Sequence, residues 1–505
     1  MASGGAGGPL GAGPASLRRP RGRGPQILTP PDEAVAAVPP VVAAPASRHF
    51  SPWVTAIYAL LTAGLVGFFY FSWGSPLANL EHPETSLERL VSREMDFREA
   101  LNRVPRWERR LYELTGSEPE TFEEAIGRFD EFDEEQRSAR TDLNLVVLLG
   151  EAGLLERASS LIEALDGADT GAAQYARWLE AAYLDAPTPE EATAMADEIH
   201  RDLPGDWFTD TLVRRIATRV DDPALQSRAE AAVEARGRTL LMRVRLVSAS
   251  GAALLVLSLV VAWRLRRSPG GGRVAEAALP PPWRGGDGLG LFFRAAFAYL
   301  LIPAAVVLLL PRTAGVTAIM GLVGGLPMLW WARRYLRARD LSIRATFGLS
   351  APPGHRLRIL GWGLVLLAVS VVGESLLYMG LNALGVSSHW ADGFLEEFLW
   401  GSPAAVVAGT LDGVVWAPIF EELAFRGLLF GTLFLRLPAW PSALLSGAIF
   451  GVAHGYGLQG FAAVTWSGMI WALGYRHTGS LLPGMLAHAG SNLLATTSFL
   501  LLLRF

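Results

Sequence analysis

Long apolar stretches dominate this chain, and most of them lie in its second half. The first covers residues 52–73, and the others lie at 247–263, 290–311, 313–332, 359–381, 403–420 (continuing toward 435), 441–456, 459–475 and 481–503. A helix rises about 1.5 Å per residue, so about 20 apolar residues cross the ~30 Å hydrocarbon layer of a bilayer. The pattern predicts an all-α, polytopic membrane helix bundle of about nine spans.

A different pattern separates the first apolar stretch from the second. Between residues 80 and 240, apolar residues recur at helical spacing among many charged ones, as in the run from Leu143 to Leu165. This spacing is typical of amphipathic helices, and it predicts a soluble all-helical domain inserted between membrane spans. Residues 247–332 then supply three accessory transmembrane helices. Residues 1–48 are rich in Gly, Pro and Arg, which predicts a disordered arm.

Composition supports a membrane protein with a separate soluble segment. The 505 residues are 51% hydrophobic and 18% charged, whereas soluble domains average about 25% charged residues. Residues 81–240 hold 36 acidic residues against 19 arginines, while residues 241–505 hold 10 acidic residues against 20 arginines. The acidic excess therefore belongs to the soluble segment, and no basic patch indicates nucleic-acid binding.

Two residue types that often carry chemistry are missing from the sequence. The chain contains no cysteine, and all 44 of its basic residues are arginine. Disulfides, thiolate metal sites, a cysteine nucleophile and a catalytic lysine are therefore excluded. Any reaction that this chain catalyses must use oxygen or imidazole groups.

Arginine clusters beside the apolar stretches predict the orientation of the chain, because loops rich in arginine stay cytoplasmic. The clearest cluster is Arg333, Arg334, Arg337, Arg339 and Arg344. Counting spans back from it places residues 264–273 and the N-terminal arm in the cytoplasm, and the 80–240 domain outside it. One cluster argues against this orientation, since it would lie outside: Arg236, Arg238, Arg243 and Arg245.

Ionisable side chains are costly inside a membrane span unless they are paired or hydrated, so each one indicates a function. The later stretches contain or adjoin Glu374, Asp412, Glu421, Glu422, Arg426, His454, His488 and Asn492. On a helix, Glu422 and Arg426 stand four residues apart in the favourable order for an ion pair. Glu421 is rotated by about 100° from its neighbour and needs another partner, which makes it the candidate reactive carboxylate.

Two further pairs, each four residues apart, follow on later apolar stretches: Phe450 with His454, and His488 with Asn492. On a helix, each pair lies on one face. A single intramembrane histidine often serves only as a hydrogen bond between helices. Both pairs together with Glu421, in this order on successive stretches, indicate a functional site.

The three motifs in this order resemble those of the CAAX protease and bacteriocin-processing (CPBP, Abi-type) family of intramembrane glutamate endopeptidases, and the chain looks like a type II CAAX prenyl endopeptidase. The motifs read Glu421-Glu422-x-x-x-Arg426, Phe450-x-x-x-His454 and His488-x-x-x-Asn492. The resemblance covers residues 340–505, which are therefore expected to form an intramembrane protease core. It does not extend to the N-terminal half.

The resemblance implies a role for each residue of the motifs. Glu421 and His454 would activate a water molecule, and His488 and Asn492 would stabilise the oxyanion. The chemistry is consistent, because peptide hydrolysis needs a base for the water and donors for the developing oxyanion. Supporting roles, which hold the site together, fall to Glu422, Arg426 and Phe450.

A zinc site is the main alternative mechanism, because Glu421, His454 and His488 form the two-His-plus-Glu set of hydrolytic zinc enzymes. The sequence has no His-Glu-x-x-His, and the resemblance implies a metal-free site, so no cofactor is expected. Two other functions stay open: a catalytically silent membrane scaffold or immunity-type protein, and a proton-coupled transporter with Glu374, Asp412 and Glu421 as a relay. Expected partners are cell-membrane lipid, a peptide or membrane-protein substrate, and a protein partner of the 80–240 domain.

Overall fold

A computed structural model describes residues 49–72, 76–115, 121–133, 137–167, 170–268, 272–310, 314–350 and 354–505. The predicted disordered arm, residues 1–48, lies outside the described residues. The described ranges contain helices joined by turns and loops, with no strand. The predicted all-α class is therefore confirmed for this part of the chain.

The helices are numbered here in chain order. The first is the apolar helix α1 (Pro52–Ser72), and a short 3-10 turn follows at Pro76–Asn79. The next eight are α2 (Pro83–Leu101), α3 (Arg106–Thr115), α4 (Phe122–Phe129), α5 (Ala139–Glu151), α6 (Leu155–Asp166), α7 (Thr170–Tyr183), α8 (Pro189–Asp202) and α9 (Trp207–Arg219). The others are α10 (Pro223–Arg267), α11 (Gly285–Leu309), α12 (Ala314–Arg337), α13 (Ile343–Thr346), α14 (Arg356–Ala383), α15 (Glu396–Trp400), α16 (Pro403–Leu433), α17 (Ala439–Val452), α18 (Leu458–Thr478) and α19 (Leu482–Arg504).

Helix α2, helices α4 to α9 and the first part of α10 share one hydrophobic core, which does not include α3. Its buried side chains run from Leu87 to Val233. The sequence also marks helix starts: the Thr121 hydroxyl accepts from the Glu124 N–H while the Glu124 carboxylate accepts from the Thr121 N–H, and Thr188 begins α8 in the same way. Such capping boxes satisfy N–H groups that lack a partner within the helix. The amphipathic helices predicted between residues 80 and 240 are therefore present; their independence as a domain stays a prediction.

Six helices of the described chain are long and apolar enough to cross a membrane. They are Pro52–Phe71, Pro223–Arg267, Gly285–Val306, Arg356–Ala383, Pro403–Leu433 and Leu482–Arg504. The predicted count of about nine is not confirmed. The other three predicted spans, 313–332, 441–456 and 459–475, fall on α12, α17 and α18. Of these, α17 has only 14 residues, about 21 Å of helix, while α18 buries polar side chains such as Gln459 and Ser467 inside the bundle.

The longest described helix is α10. It joins helices α2 to α9, called here the acidic helices, to the long apolar helices, called here the membrane bundle, without a break. Helix α10 has 45 residues; it begins within the core of the acidic helices and ends in the arginines at 264–267. The predicted boundary between 80–240 and the following spans lies inside it. Because a continuous helix has no flexible joint, α10 fixes the direction in which the chain enters the bundle.

Side-chain contacts also fasten the acidic helices to one end of the bundle. The Glu396 carboxylate accepts from the His82 N–H at 3.0 Å and from the Ser86 hydroxyl at 2.7 Å. The Arg89 guanidinium donates to the carbonyls of Leu503 at 2.9 Å and Arg504 at 3.1 Å. The acidic helices therefore lie against the start of α15 and the C-terminal end of α19. Trp390, in the loop that follows α14, also donates to the Glu131 carboxylate at 2.9 Å.

Candidate functional site

The first motif lies on α16, where the backbone departs from α-helical geometry. Two segments of α16 are π-helical, Asp412–Trp416 and Glu422–Phe430, with Ala417–Glu421 as an α-helical turn between them. Such wider turns are rare and occur often at functional sites, because they re-aim side chains relative to a regular helix. Glu421 and Glu422 thus stand at the junction between two helix types, a feature that the sequence did not predict.

The ion pair expected between Glu422 and Arg426 is present. Arg426 Nη1 lies 3.0 Å from Glu422 Oε1, and both side chains are fully buried. The guanidinium carbon also lies 4.1 Å from the ring centroid of Phe450 and 5.0 Å from that of Trp471. An opposite charge and two aromatic faces together stabilise a cation that has lost its water.

His488 stands between the two carboxylates of the first motif. Its Nδ1 is 3.2 Å from Glu422 Oε1, and its Nε2 is 3.7 Å from Glu421 Oε2. The imidazole also stacks on Trp471, with ring centroids 4.4 Å apart. A nitrogen at 3.7 Å is too far for a hydrogen bond, so the ring is held by Glu422 and Trp471 while it faces Glu421. The motifs gave no indication of Trp471, which lies on a different helix.

The spacing between Phe450 and His454 predicted that both lie on one helix. In the structure, His454 lies outside the helix. Helix α17 ends at Val452, and His454 belongs to the turn that follows. The expected proximity remains, because the His454 and Phe450 rings are 4.5 Å apart and His454 Nδ1 lies 2.8 Å from the Phe450 carbonyl oxygen. A carbonyl only accepts, so this contact places the proton on Nδ1 and leaves the lone pair of a neutral ring on Nε2.

Asn492 lies on α19 and reaches the first π-helical segment of α16. Its side-chain amide donates to the Gly413 carbonyl at 2.7 Å. The neighbouring Asp412 carboxylate accepts from the Gly321 N–H of α12 at 2.9 Å. An amide nitrogen has two hydrogens, so one N–H of Asn492 is left for another acceptor. The motifs indicated Asn492 but not Gly413 or Gly321, because backbone groups carry no sequence signal.

A cavity of about 920 Å³ connects two of the predicted site residues. Glu421 and His454 both line it, together with apolar side chains of α1, α11, α16 and α17. His488 and Asn492 are not among its lining residues. The structure therefore brings Glu421 and His454 to one largely apolar space, with His488 behind Glu421.

The zinc alternative requires three ligands around one point. Within the described ranges, no group of three or more His, Cys, Asp and Glu side chains is placed to hold a metal ion. Of the proposed set, Glu421 and His488 approach each other, with His488 Nε2 3.7 Å from Glu421 Oε2. In the described structure, Glu421, His454 and His488 are therefore not gathered around one point.

Comparison with known proteins bears directly on this site. A family model described as Type II CAAX prenyl endopeptidase Rce1-like matches residues 403–494, which contain all three motifs. The match is shorter than the 340–505 expected from the resemblance. No curated protein and no solved structure matches the chain. The long apolar helices and the family match together make this a membrane protein. Residues 403–494, less than a fifth of the chain, are thus similar to the type II CAAX prenyl endopeptidase Rce1-like family.

Proposed function

We propose that this chain is an intramembrane endopeptidase of the CAAX-protease type, in which Glu421 and His454 activate the hydrolytic water. The observation that carries the proposal is that both side chains line one apolar cavity of about 920 Å³ among membrane-spanning helices. Apolar walls of that size suit an extended peptide segment or an apolar chain attached to it. The substrate is accordingly a peptide or membrane protein that enters from the bilayer.

In this mechanism, the Glu421 carboxylate takes a proton from a water molecule as the oxygen attacks the scissile carbonyl. His454 presents its unprotonated Nε2 to the same water and orients it. The proton then passes to the leaving amine, so that the base is regenerated. No covalent intermediate with the protein is needed.

The oxyanion requires donors, and we assign this role to His488 and Asn492. His488 donates through Nε2 when both ring nitrogens carry a proton, with its Nδ1 facing the Glu422 carboxylate at 3.2 Å. Asn492 has one amide N–H beyond the one that Gly413 accepts. Both residues lie on α19, so a small shift of one helix delivers both donors. Arg426 and Phe450 support the site through Glu422 and the His454 ring respectively.

Cleavage by purified protein tests the proposal. The chain is reconstituted in lipid nanodiscs with a set of membrane-anchored peptides, with and without prenyl groups, and products are identified by mass spectrometry. Cleavage that disappears in Glu421→Gln supports an intramembrane protease. Folded protein that cleaves no member of the set in any lipid would favour the silent scaffold instead.

One variant separates the metal-free mechanism from the zinc mechanism. If His488 serves the oxyanion, His488→Ala should lose about 10² to 10³ in rate, and its zinc content should equal that of the wild type. If His488 were a ligand, the same variant would lose zinc and activity together, because the Lewis acid would be gone. Metal analysis and rate measurement on one preparation decide between them, with chelator-treated wild type as the control.

The orientation of the chain is part of the proposal, with the acidic helices outside the cytoplasm. Helix α14 has 28 residues, about 42 Å, so its arginines Arg356 and Arg358 and the loop that contacts the acidic helices lie at opposite ends. A reporter enzyme that works only outside the cytoplasm should be active when it is inserted at Gly167. A reporter at Asp340 is the matched control and should give the opposite result. A cytoplasmic signal at Gly167 would overturn the orientation.

A further inference from the structure

A second cavity, of about 670 Å³, lies at the other end of the bundle from the acidic helices. It forms where residues 272–284, the end of α16, the start of α17 and the end of α18 meet. Its polar lining consists of Arg273, Arg476 and His477, and its apolar lining includes Phe434, Trp440 and Leu473. Among the described residues no carboxylate lines it, so the cavity combines positive charge with an apolar wall.

The two arginines of this cavity have no anionic partner within the described ranges of the chain. Arg273 and Arg476 form neither an ion pair nor a hydrogen bond with any residue that the structure describes, in contrast to the buried Arg426. Arg476 lies 5.6 Å from the ring centroid of Phe434, and the His477 ring meets Trp362 edge-on at 4.7 Å. Aromatic neighbours hold Arg476 and His477, and both arginine charges remain available for a ligand.

The backbone around Arg273 is fixed by the neighbouring helix end. The Val274 N–H donates to the Thr478 carbonyl at 2.9 Å, and the Ala277 N–H donates to the Gly479 carbonyl at 3.0 Å. The segment that carries Arg273 is therefore tied to the end of α18, which carries Arg476 and His477. The backbone that carries the three groups is preorganised, which lowers the entropic cost of binding an anion.

The position of the cavity identifies the kind of anion. Three of its walls belong to helix ends: α16 ends at Leu433, α17 begins at Ala439 and α18 ends at Thr478. Trp440 is 62% exposed, and exposed tryptophan is typical of the boundary between lipid headgroups and hydrocarbon. A ligand in this cavity would have a polar end beside the cationic side chains and an apolar part along the helix surface.

We propose that this cavity binds the phosphate-bearing headgroup of an anionic phospholipid. The phosphate lies among Arg273, Arg476 and His477, and an acyl chain runs along Phe434 and Leu473 beside Trp440. Basic pockets between transmembrane helices recognise headgroups in this way, and arginine binds phosphate oxygens through paired N–H groups. A free phosphate would satisfy the charges but would leave the apolar wall uncovered.

Lipid binding to the full chain tests this inference without any measurement of proteolysis. Native mass spectrometry of detergent-solubilised protein is titrated with phosphatidylglycerol and with phosphatidylcholine. The wild type should bind phosphatidylglycerol more tightly, and R273Q/R476Q should lose about 30-fold in affinity, since each basic residue near a headgroup contributes about 1 kcal/mol. Arg476→Gln alone should lose about fivefold; its side chain is exposed, so folding is not at risk.

The matched control is R333Q/R337Q, which removes two exposed arginines from the end of α12 outside this cavity. It should bind phosphatidylglycerol like the wild type. Equal affinity of the wild type for the two lipids, or equal losses in the control and cavity variants, would overturn the site. Complete displacement of the lipid by millimolar glycerol phosphate would show a simple anion site and overturn the lipid assignment. Since the readout is lipid binding, failure here leaves the proposed protease untouched.

Discussion

Glu421→Gln should lower the rate of peptide cleavage by about 10² to 10⁴, because the amide cannot take a proton from water. The substitution keeps the size of the side chain, and Glu421 makes no hydrogen bond through Oε2 in the described structure. Folding should therefore be nearly unchanged. His454→Ala should lose activity to a similar extent, because it removes the second group that faces the water. Single-turnover cleavage in nanodiscs measures the rate, and thermal unfolding in detergent measures the stability of each variant.

A matched control for this experiment is Glu374→Gln. Glu374 is a second carboxylate of the membrane bundle, which accepts from the Ser467 hydroxyl on α18 and does not line the catalytic cavity. The same chemical change at this position should leave cleavage within about twofold of the wild type, since glutamine still accepts that hydrogen bond. Equal losses at Glu374 and Glu421 would favour the proton relay of a transporter. Wild-type turnover in Glu421→Gln would refute the proposed base.

The sequence predicted the local parts of the site well. Ion pairing between Glu422 and Arg426 depends on residues four apart in one helix, and that contact is present even though the backbone there is π-helical. Contact between Phe450 and His454 is likewise local, and it persists although α17 ends before His454. The spacing of residues in the sequence therefore predicts which side chains are in contact, but it does not predict the backbone conformation. The reason is that α-helical, π-helical and turn conformations all keep residues four apart close together.

The parts that the sequence did not predict depend on tertiary packing. Trp471 reaches His488 only because α18 and α19 lie side by side, and Gly413 reaches Asn492 only because α16 passes α19. The wall that α1 contributes to the catalytic cavity could not be foreseen either, since α1 is more than 300 residues from Glu421 in the chain. The count of about nine spans stays unconfirmed, because hydropathy alone does not distinguish a short apolar helix such as α17 from one that crosses a bilayer.

Arg426→Ala should lower the stability of the folded protein, and any loss of cleavage should follow from that loss of folded protein. Arg426→Ala leaves the fully buried Glu422 carboxylate without its guanidinium partner at 3.0 Å, and an unpaired buried charge costs about 3 to 5 kcal/mol. His488 offers Glu422 a single ring nitrogen at 3.2 Å, which does not replace the several N–H groups of a guanidinium. The cavity left between Phe450 and Trp471 adds to the loss. We expect a low yield of folded protein and a markedly lower unfolding temperature in detergent.

A double variant shows whether the charge or the packing is responsible. E422L/R426M replaces both members of the ion pair by apolar side chains of similar volume, and such replacements are often neutral for stability. It should therefore recover much of the folded yield that Arg426→Ala loses, although His488 loses its ionic partner and cleavage stays low. If Arg426→Ala instead gives stable but inactive protein, the guanidinium contacts the substrate or the transition state, and its assignment as a supporting residue is wrong.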